Sequence, residues 1–446
     1  MLPPDTATRP RVLIIGGGFA GLQCARALRN APVSVTLIDR TNHHLFQPLL
    51  YQVATAALAP SDISAPIRWI LRGVRNVTVL LAEARRIDPD RRTVYVDDDR
   101  REMPYDFLVV ATGARHAYFG HDDWESHAPG LKSLDDALEI RRRFLLSFEL
   151  AEKCESDAER LVHQTFVVVG GGPTGCELAG MLPEIAKHAF RRDFRRVDTD
   201  KTRVILVEGG PRILPSFPEA LAARARRDLE HLGVEVRTGS VVTTVDGDGV
   251  LIGTERIPSH CVFWAAGNRA SSLARGLGVP VDRVGRAIVE PDLSIPGHPE
   301  VFVPGDAGFS LQRNGRPVPG VAPAAAQQGR AVAESILRTL RGEPRLAFSY
   351  RNKGDLATLG RYKAIANFGW LRVSGWPAWL LWLFVHIMYL VGFRNRLGVL
   401  LEWAYAYFTY QRGVRLITGR EHGVEAARLK QTGEYRIAME GTPPPS

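Results

Sequence analysis

At 446 residues, with 45% hydrophobic and 24% charged residues, the chain has an ordinary globular balance and room for two or three domains, which excludes bulk disorder. Its formal net charge is +9. The four cysteines, Cys24, Cys154, Cys176 and Cys261, form no C-x-x-C pair, which argues against a disulfide framework, a structural zinc site and a paired-thiol redox centre. A single reactive thiol stays open beside the simpler reading of buried, inert cysteine. The N-terminus, MLPPDTATRP, lacks the basic patch and apolar run of a secretory signal, so cytoplasmic residence is the expectation.

Residues 11–15 read as a short apolar strand, and Gly16-Gly17-Gly18-Phe19-Ala20-Gly21 then fits G-x-G-x-x-G at the start of a helix running through Leu28. The spacing has a physical cause. Gly16 permits the tight turn, Gly18 lets the backbone approach a pyrophosphate, and Gly21 lets helix and strand pack closely, while the helix N-terminus offers free N–H groups to the phosphates. The next strand, VSVTLID, ends at Asp39, the expected acidic partner of a ribose hydroxyl.

The pattern recurs at TFVVVGGGPTGCELAGML, where the strand 165–169 leads into Gly170-Gly171-Gly172-Pro173-Thr174-Gly175 and a second helix. Its acid-terminated strand, RVILVE, ends at Glu208, after a crossover lengthened by the polar segment HAFRRDFRRVDTDK. A carboxylate here favours the free ribose hydroxyls of NADH over the extra phosphate of NADPH, although Arg212 lies close enough in sequence to weaken that preference. Two cradles imply two dinucleotides. If one holds FAD permanently and the other binds a nicotinamide transiently, hydride can pass between them, the cofactors supplying the chemistry and the protein the alignment. No catalytic triad, metal-ligand cluster or carboxylate pair stands out.

The order GGGFAG, YDFLVVATGA (105–114), GGGPTG, VFWAAGN (262–268) and VFVPGDAG (301–308) resembles the two-dinucleotide-binding-domain flavoproteins, over about three quarters of the chain. The resemblance implies an α/β fold of two Rossmann-like domains: a discontinuous FAD domain (1–120 and 291–340), an inserted NAD(H) domain (121–290), and a C-terminal helical membrane-associating region (341–446). Within that superfamily the chain is most similar to type II NADH dehydrogenases, single-chain NADH:quinone oxidoreductases. NHHLFQPLLYQVATAALAPSDISAPIR (42–68) is similar to their flavin-flanking segment, and PGVAPAAAQQGR (319–330) to their segment beneath the isoalloxazine, where quinone enters.

Carried over residue by residue, the resemblance implies FAD contacts at Gly16, Gly17, Gly18, Ala20, Gly21, Asp39, Arg40, Gln47, Gln52, Ala84, Ala111, Thr112, Gly113 and, for the ribityl chain, Asp306. It implies NADH contacts at Gly170, Gly172, Pro173, Thr174, Gly175, Glu208, Ala266 and Gly267. For Gln47 and Gln52 a loop glutamine bonded to backbone is an equal reading. Glu177 matches a family glutamate facing the flavin and nicotinamide or quinone pocket; a carboxylate in the first turns of a helix is also favoured by the helix dipole, by about 0.3 to 1 kcal/mol. Where many members read A-Q-x-A-x-Q, this chain has Ala322-Pro323-Ala324-Ala325-Ala326-Gln327, so Pro323 replaces a glutamine and cannot make a side-chain hydrogen bond. That leaves Gln327 and Gln328 as quinone contacts, with Glu177 and Gln327 as the candidate catalytic pair.

Between Arg341 and Arg420 twelve basic residues stand against three acids, a surplus equal to the whole chain's +9. They bracket an apolar run, 376–393, which points to an anionic membrane surface, at about 1 kcal/mol per basic residue near lipid, rather than to nucleic acid. At helical spacing Trp379, Trp382, His386, Tyr389 and Phe393 share one face. Trp and Tyr prefer the headgroup level, and a spanning helix gathers them at its ends rather than in a stripe. With the following LGVLLEWAYAYFTY (397–410), the expectation is two helices lying monotopically in the cytoplasmic leaflet; a single spanning helix and a buried homodimer interface are the alternatives. His386 reads as a packing residue, with assistance to quinone protonation as the rarer role.

The resemblance thus implies non-proton-pumping NADH:quinone oxidoreduction with FAD and NADH as cofactors and a membrane quinone as acceptor. Two rivals are a sulfide:quinone oxidoreductase, for which Cys176 lacks an evident partner, and a redox-sensing binding flavoprotein resembling apoptosis-inducing-factor relatives.

Overall fold

The structure, a computed structural model, describes residues 9–97, 101–390, 396–401, 403–404 and 414–418. The chain divides into two compact units, one of residues 1–45, 64–115 and 268–353, the other of residues 46–63, 116–267 and 354–446.

The first unit is built on a six-stranded sheet in the spatial order Ser294–Ile295, His298–Phe302, Phe107–Val110, Arg11–Ile15, Ser34–Asp39, Val77–Leu81. All pairings are parallel except the short antiparallel edge at Ser294–Ile295. Strands buried on both faces read as unbroken apolar runs, and Val12, Leu13, Ile14 and Ile15 are all buried. The Phe19–Ala27 and Ala322–Leu340 helices fill one face, with Leu22, Ala25, Val332 and Ile336 in the core. They approach so closely that a Cβ on Gly329 would lie 2.1 Å from the Ala20 carbonyl oxygen. On the other face lies an antiparallel meander, Ala84–Asp88, Thr93–Val96 and Arg101–Pro104. Residues 268–290, which the resemblance puts in the NAD(H) domain, fall in this first unit, because Ala270, Ala274, Leu277 and Ala287 complete that second core.

The second unit repeats the theme with four parallel strands in the order Val234–Thr238, Arg203–Glu208, Thr165–Val169, Cys261–Trp264. The Leu134–Lys153 helix starts from a capping box in which Ser133 and Asp136 satisfy each other's backbone amides. The Pro173–Glu184 helix, which carries the second glycine loop, passes into a π-helical turn at Ile185–Ala189.

The C-terminal part of this unit is a three-stranded antiparallel sheet, Asp355–Gly360, Lys363–Asn367 and Arg372–Ser374, followed by the Trp376–Tyr389 helix. The sheet lies on the Pro173–Glu184 helix, and a Cβ on Gly180 would come within 2.2 Å of the Leu359 carbonyl oxygen. Gly375, at φ 77°, turns the chain into the helix, with a proline in its first turn.

That helix has 14 residues, about 21 Å at 1.5 Å per residue, against a hydrocarbon core of about 30 Å. Among the described residues no helix is long and apolar enough to cross a membrane. The aromatic stripe expected at the headgroup level divides: Tyr389 is exposed, but the stripe's two tryptophans are not. Trp379 and Trp382 are buried in the unit, and the exposed stripe is Trp376, Leu380, Phe384 and Met388, spaced four apart. A bulky ring with one polar atom serves a protein interior as well as a lipid interface, and composition alone does not separate the two. Phe393 and half of the second apolar stretch lie outside the described residues.

Candidate functional site

In the first unit Gly16 adopts φ 103°, and a Cβ there would lie 2.4 Å from the Ala111 carbonyl oxygen; one on Gly21 would lie 1.9 Å from that of Gly16. Gly18 faces open space, with nothing within 4 Å of an added Cβ. Each glycine thus does what its place in the motif requires. Asp39 accepts hydrogen bonds from the Gly17 amide at 2.6 Å and from the Thr41 amide and hydroxyl at 2.7 and 2.8 Å, so the acid also braces the loop.

Other expected FAD residues gather around this loop. Ala20 and Ala325 lie against Gly305, which begins the Gly305–Ala307 turn carrying Asp306. The Asp306 carboxylate lies beside Gly320, where an added Cβ would come within 3.1 Å, and makes no hydrogen bond among the described residues. Gly113 takes φ 65°, and the Thr112 and Ser271 hydroxyls bond each other at 2.7 Å. Ala111 is buried in the sheet, Ala84 in the meander core, and Arg40 is exposed. His44, which sequence reasoning missed, is buried with Nδ1 2.9 Å from the Gly17 carbonyl oxygen; burial holds its pKa below the usual value, so the neutral ring donates to that carbonyl. An open approach at Gly18 and an unpartnered carboxylate fit a dinucleotide whose pyrophosphate meets the loop.

The second unit reproduces the geometry. Gly170 takes φ 113°, with Ala265 and Ala266 backbone atoms 2.7 Å from an added Cβ, and a Cβ on Gly175 would lie 1.8 Å from the Gly170 carbonyl oxygen. Gly172 faces open space, and Pro173 and Thr174 begin the helix. Glu208 accepts from the Gly171 and Gly210 amides, both at 2.6 Å. Gly267 takes φ 69°. Arg212 turns away, donating to the Pro215 and Phe217 carbonyls at 2.9 Å, so its guanidinium is committed to backbone.

Glu177, on the same helix, is 9% exposed. Burial raises its pKa from 4.5 to about 8, against a smaller lowering by the Thr358 backbone amide, so the carboxyl keeps its proton at neutral pH. Desolvation outweighs the helix dipole here. Cys176 beside it is buried, and burial pushes its thiol well above the ordinary range; all four cysteines are buried and none is joined in a disulfide.

Gln47 donates to the Lys132 carbonyl at 3.0 Å, as a loop glutamine does. Gln52 does not: it is buried, donates to the Tyr51 hydroxyl at 2.9 Å, and accepts from the Trp403 indole at 2.6 Å. Trp403 stands 351 positions along the chain, and no sequence signal pairs it with Gln52. Both glutamines of the 319–330 segment are engaged. Gln327 exchanges two 3.0 Å bonds with the Arg351 backbone, while buried Gln328 accepts from the Gly305 amide at 2.6 Å and donates to Ser310 at 2.9 Å, bracing the Asp306 turn.

Two acid-braced glycine cradles on parallel sheets, together with a buried neutral carboxyl, define a two-dinucleotide oxidoreductase of the flavoprotein kind. The pyridine nucleotide-disulphide oxidoreductase model matches residues 10–329, and the NDH2 C-terminal domain model matches residues 352–410. A type II NADH:quinone oxidoreductase of Mycobacterium tuberculosis is 44% identical over 97% of this chain and 96% of its own length. NDH2 from Plasmodium falciparum, solved with NADH, shares the fold at TM-score 0.83 and 19% identity, covering 92% of this chain and all of that one. The sulfide:quinone oxidoreductase of Aquifex aeolicus is a more distant likeness, at TM-score 0.70 and 21% identity over 90% of this chain and 95% of that one. The chain belongs to the type II NADH:quinone oxidoreductase family.

Proposed function

We propose that the chain catalyses non-proton-pumping oxidation of NADH by a membrane quinone, with FAD held in the first unit and NADH in the second. The observation that carries this is the pair of cradles with matching geometry, each with an open third glycine and a carboxylate bracing its second. When bound, FAD would supply the two-electron chemistry that links nicotinamide to quinone.

The residues of the chain do the rest. Gly16, Gly18 and Gly21 would admit the FAD pyrophosphate, Asp39 would hold its adenosine ribose, and Asp306 its ribityl chain. Glu208 would receive the ribose hydroxyls of NADH, and Arg212 is drawn to two backbone carbonyls, which favours NADH over NADPH. Glu177 serves as the proton donor to quinone, its buried carboxyl still protonated at pH 7. Gln327 and Gln328 contact quinone only by exchanging their present bonds; Gln52 is already directed into a buried aromatic cluster.

The domains we assign are an FAD domain in the first unit, an NADH domain in the second, and a membrane-associating region from about residue 354 onward. The exposed Trp376, Leu380, Phe384, Met388 stripe and the flanking basic residues support monotopic attachment to an anionic cytoplasmic leaflet. A homodimer burying the same stripe would show as a concentration-dependent mass that competes with vesicle binding. The function is tested by an anaerobic spectrum of the purified protein: NADH bleaches a flavin band and a short-chain quinone restores it. Bleaching without recovery refutes quinone reduction.

A further inference from the structure

The crossover HAFRRDFRRVDTDK, notable for its length, supplies none of the residues assigned above to either dinucleotide. It is nevertheless a built element. Phe190 is buried against Phe144 and Phe148, with ring centroids 5.7 and 4.9 Å apart, and Phe194 stacks on Phe148 at 5.8 Å. The backbone is pinned as well: the Glu152 carboxylate accepts from the Arg195, Arg196 and Val197 amides at 2.9 to 3.1 Å. From Arg191 to Arg196 four arginines stand against one acid, Asp193. Arg196 donates to the Cys154 carbonyl at 3.0 Å, whereas Arg191, Arg192 and Arg195 are exposed, and their side chains make no hydrogen bond or ion pair among the described residues.

A second segment meets this turn. Arg415 pairs with Asp193, donates to the Ala189 carbonyl at 3.1 Å and holds its guanidinium 5.9 Å from the Phe190 ring centroid. Arg191 and Arg192 lie between the two residues it grips, and Leu416 and Ile417, which follow it, are 63% and 45% exposed. Arg415 thus gathers outward cations and exposed aliphatic side chains around one tether and neutralises the acid among them.

We propose that Arg191, Arg192, Arg195, Leu416 and Ile417 form a contact with anionic phospholipid additional to the Trp376–Tyr389 helix: the guanidiniums bind headgroup phosphates, and the two aliphatic side chains enter the acyl boundary. Arginine meets two phosphate oxygens with two parallel N–H groups, and apolar side chains set beside cations suit a lipid interface. A nucleic-acid backbone would engage the arginines and leave Leu416 and Ile417 in water. The inference rests on the membrane-attachment reading above.

The test uses the full-length protein and sedimentation with vesicles of phosphatidylcholine, alone or mixed with phosphatidylglycerol. Arg191→Gln, Arg192→Gln and Arg195→Gln combined keep the amides that Glu152 binds. At about fivefold per arginine, affinity for the anionic vesicles falls about 10²-fold, while affinity for the neutral vesicles and NADH oxidation by ferricyanide stay unchanged. Leu416→Ser with Ile417→Ser lowers affinity by about tenfold. A control, Arg283→Gln with Arg313→Gln and Arg316→Gln, removes the same charge from the first unit; an equal loss there means that only net charge matters and overturns the site, as does undiminished binding of the 191/192/195 variant. Loss of duplex DNA binding in that variant with vesicle binding retained assigns the arginines to nucleic acid and also overturns it. If the variant fails to fold, hydrogen exchange of the parent protein is read instead: protection gained at 188–194 and 414–418 on anionic but not neutral vesicles supports the site, and no gain there overturns it. A parent protein that binds no anionic vesicle refutes membrane attachment itself.

Discussion

The group on which most depends is Glu177. Its folded-state pKa of about 8 against an ordinary 4.5 means that burial disfavours the carboxylate by on the order of 5 kcal/mol. Roughly nine-tenths of the folded molecules hold this proton at pH 7 and about one-tenth at pH 9. If Glu177 donates to quinone, kcat falls about tenfold for each pH unit above 8. Glu177→Gln removes that limb and lowers kcat by about 10²-fold, the low end for general acid catalysis. The assay is steady-state NADH oxidation from pH 5.5 to 9.5 with a short-chain quinone, compared with ferricyanide, which takes electrons without protons and so has no such limb. The same shift acts on stability with a defined sign. Between pH 4.5 and 8 the folded state binds the extra proton, so stability falls as pH rises through that window and is lowest above it; Glu177→Gln abolishes this dependence. A Gln variant with the parent's quinone rate and the parent's alkaline limb would refute the assignment.

Other substitutions probe the scaffold. Gly180→Ala places a methyl 2.2 Å from the Leu359 carbonyl and should lower the thermal midpoint by about 2 to 8 °C in a calorimetric scan, since overpacking costs about 1–3 kcal/mol. Glu208→Gln weakens bonds to both ribose and loop; the NADH KM should rise about tenfold and the preference for NADH over NADPH shrink, in paired kinetics with the two donors. Leu380→Ser with Phe384→Ser removes two exposed apolar side chains and should weaken sedimentation with anionic vesicles by about 10²-fold, with long-chain quinone reduction falling more than ferricyanide reduction. Undiminished vesicle binding would place the attachment elsewhere.

Much of the fold was legible in the sequence because a dinucleotide loop is a local object. Gly16 and Gly170 must take positive φ, Gly21 and Gly175 must let a helix approach the strand end, and Asp39 and Glu208 must end the next strand; all of that lies within about forty residues and is written as spacing. The strands at 11–15, 165–169 and 203–208 have the bounds that the sequence suggests, each built on an apolar run.

What depended on distant parts of the chain was not legible. The aromatic stripe at 376–393 reads identically whether it faces lipid or protein, and packing turned Trp379 and Trp382 inward. Residues 46–63 and 268–290 joined units other than those their positions suggest, because cores are completed by shape rather than by order along the chain. The resemblance singled out Glu177 but not its protonation state; burial raises its pKa and keeps the carboxyl neutral. The bond from Trp403 to Gln52 spans 351 positions. Sequence alone determined what each short segment can be, since backbone geometry and hydrogen-bond capacity are local; tertiary structure decided which groups lose water together, and desolvation is the quantity that tunes a proton.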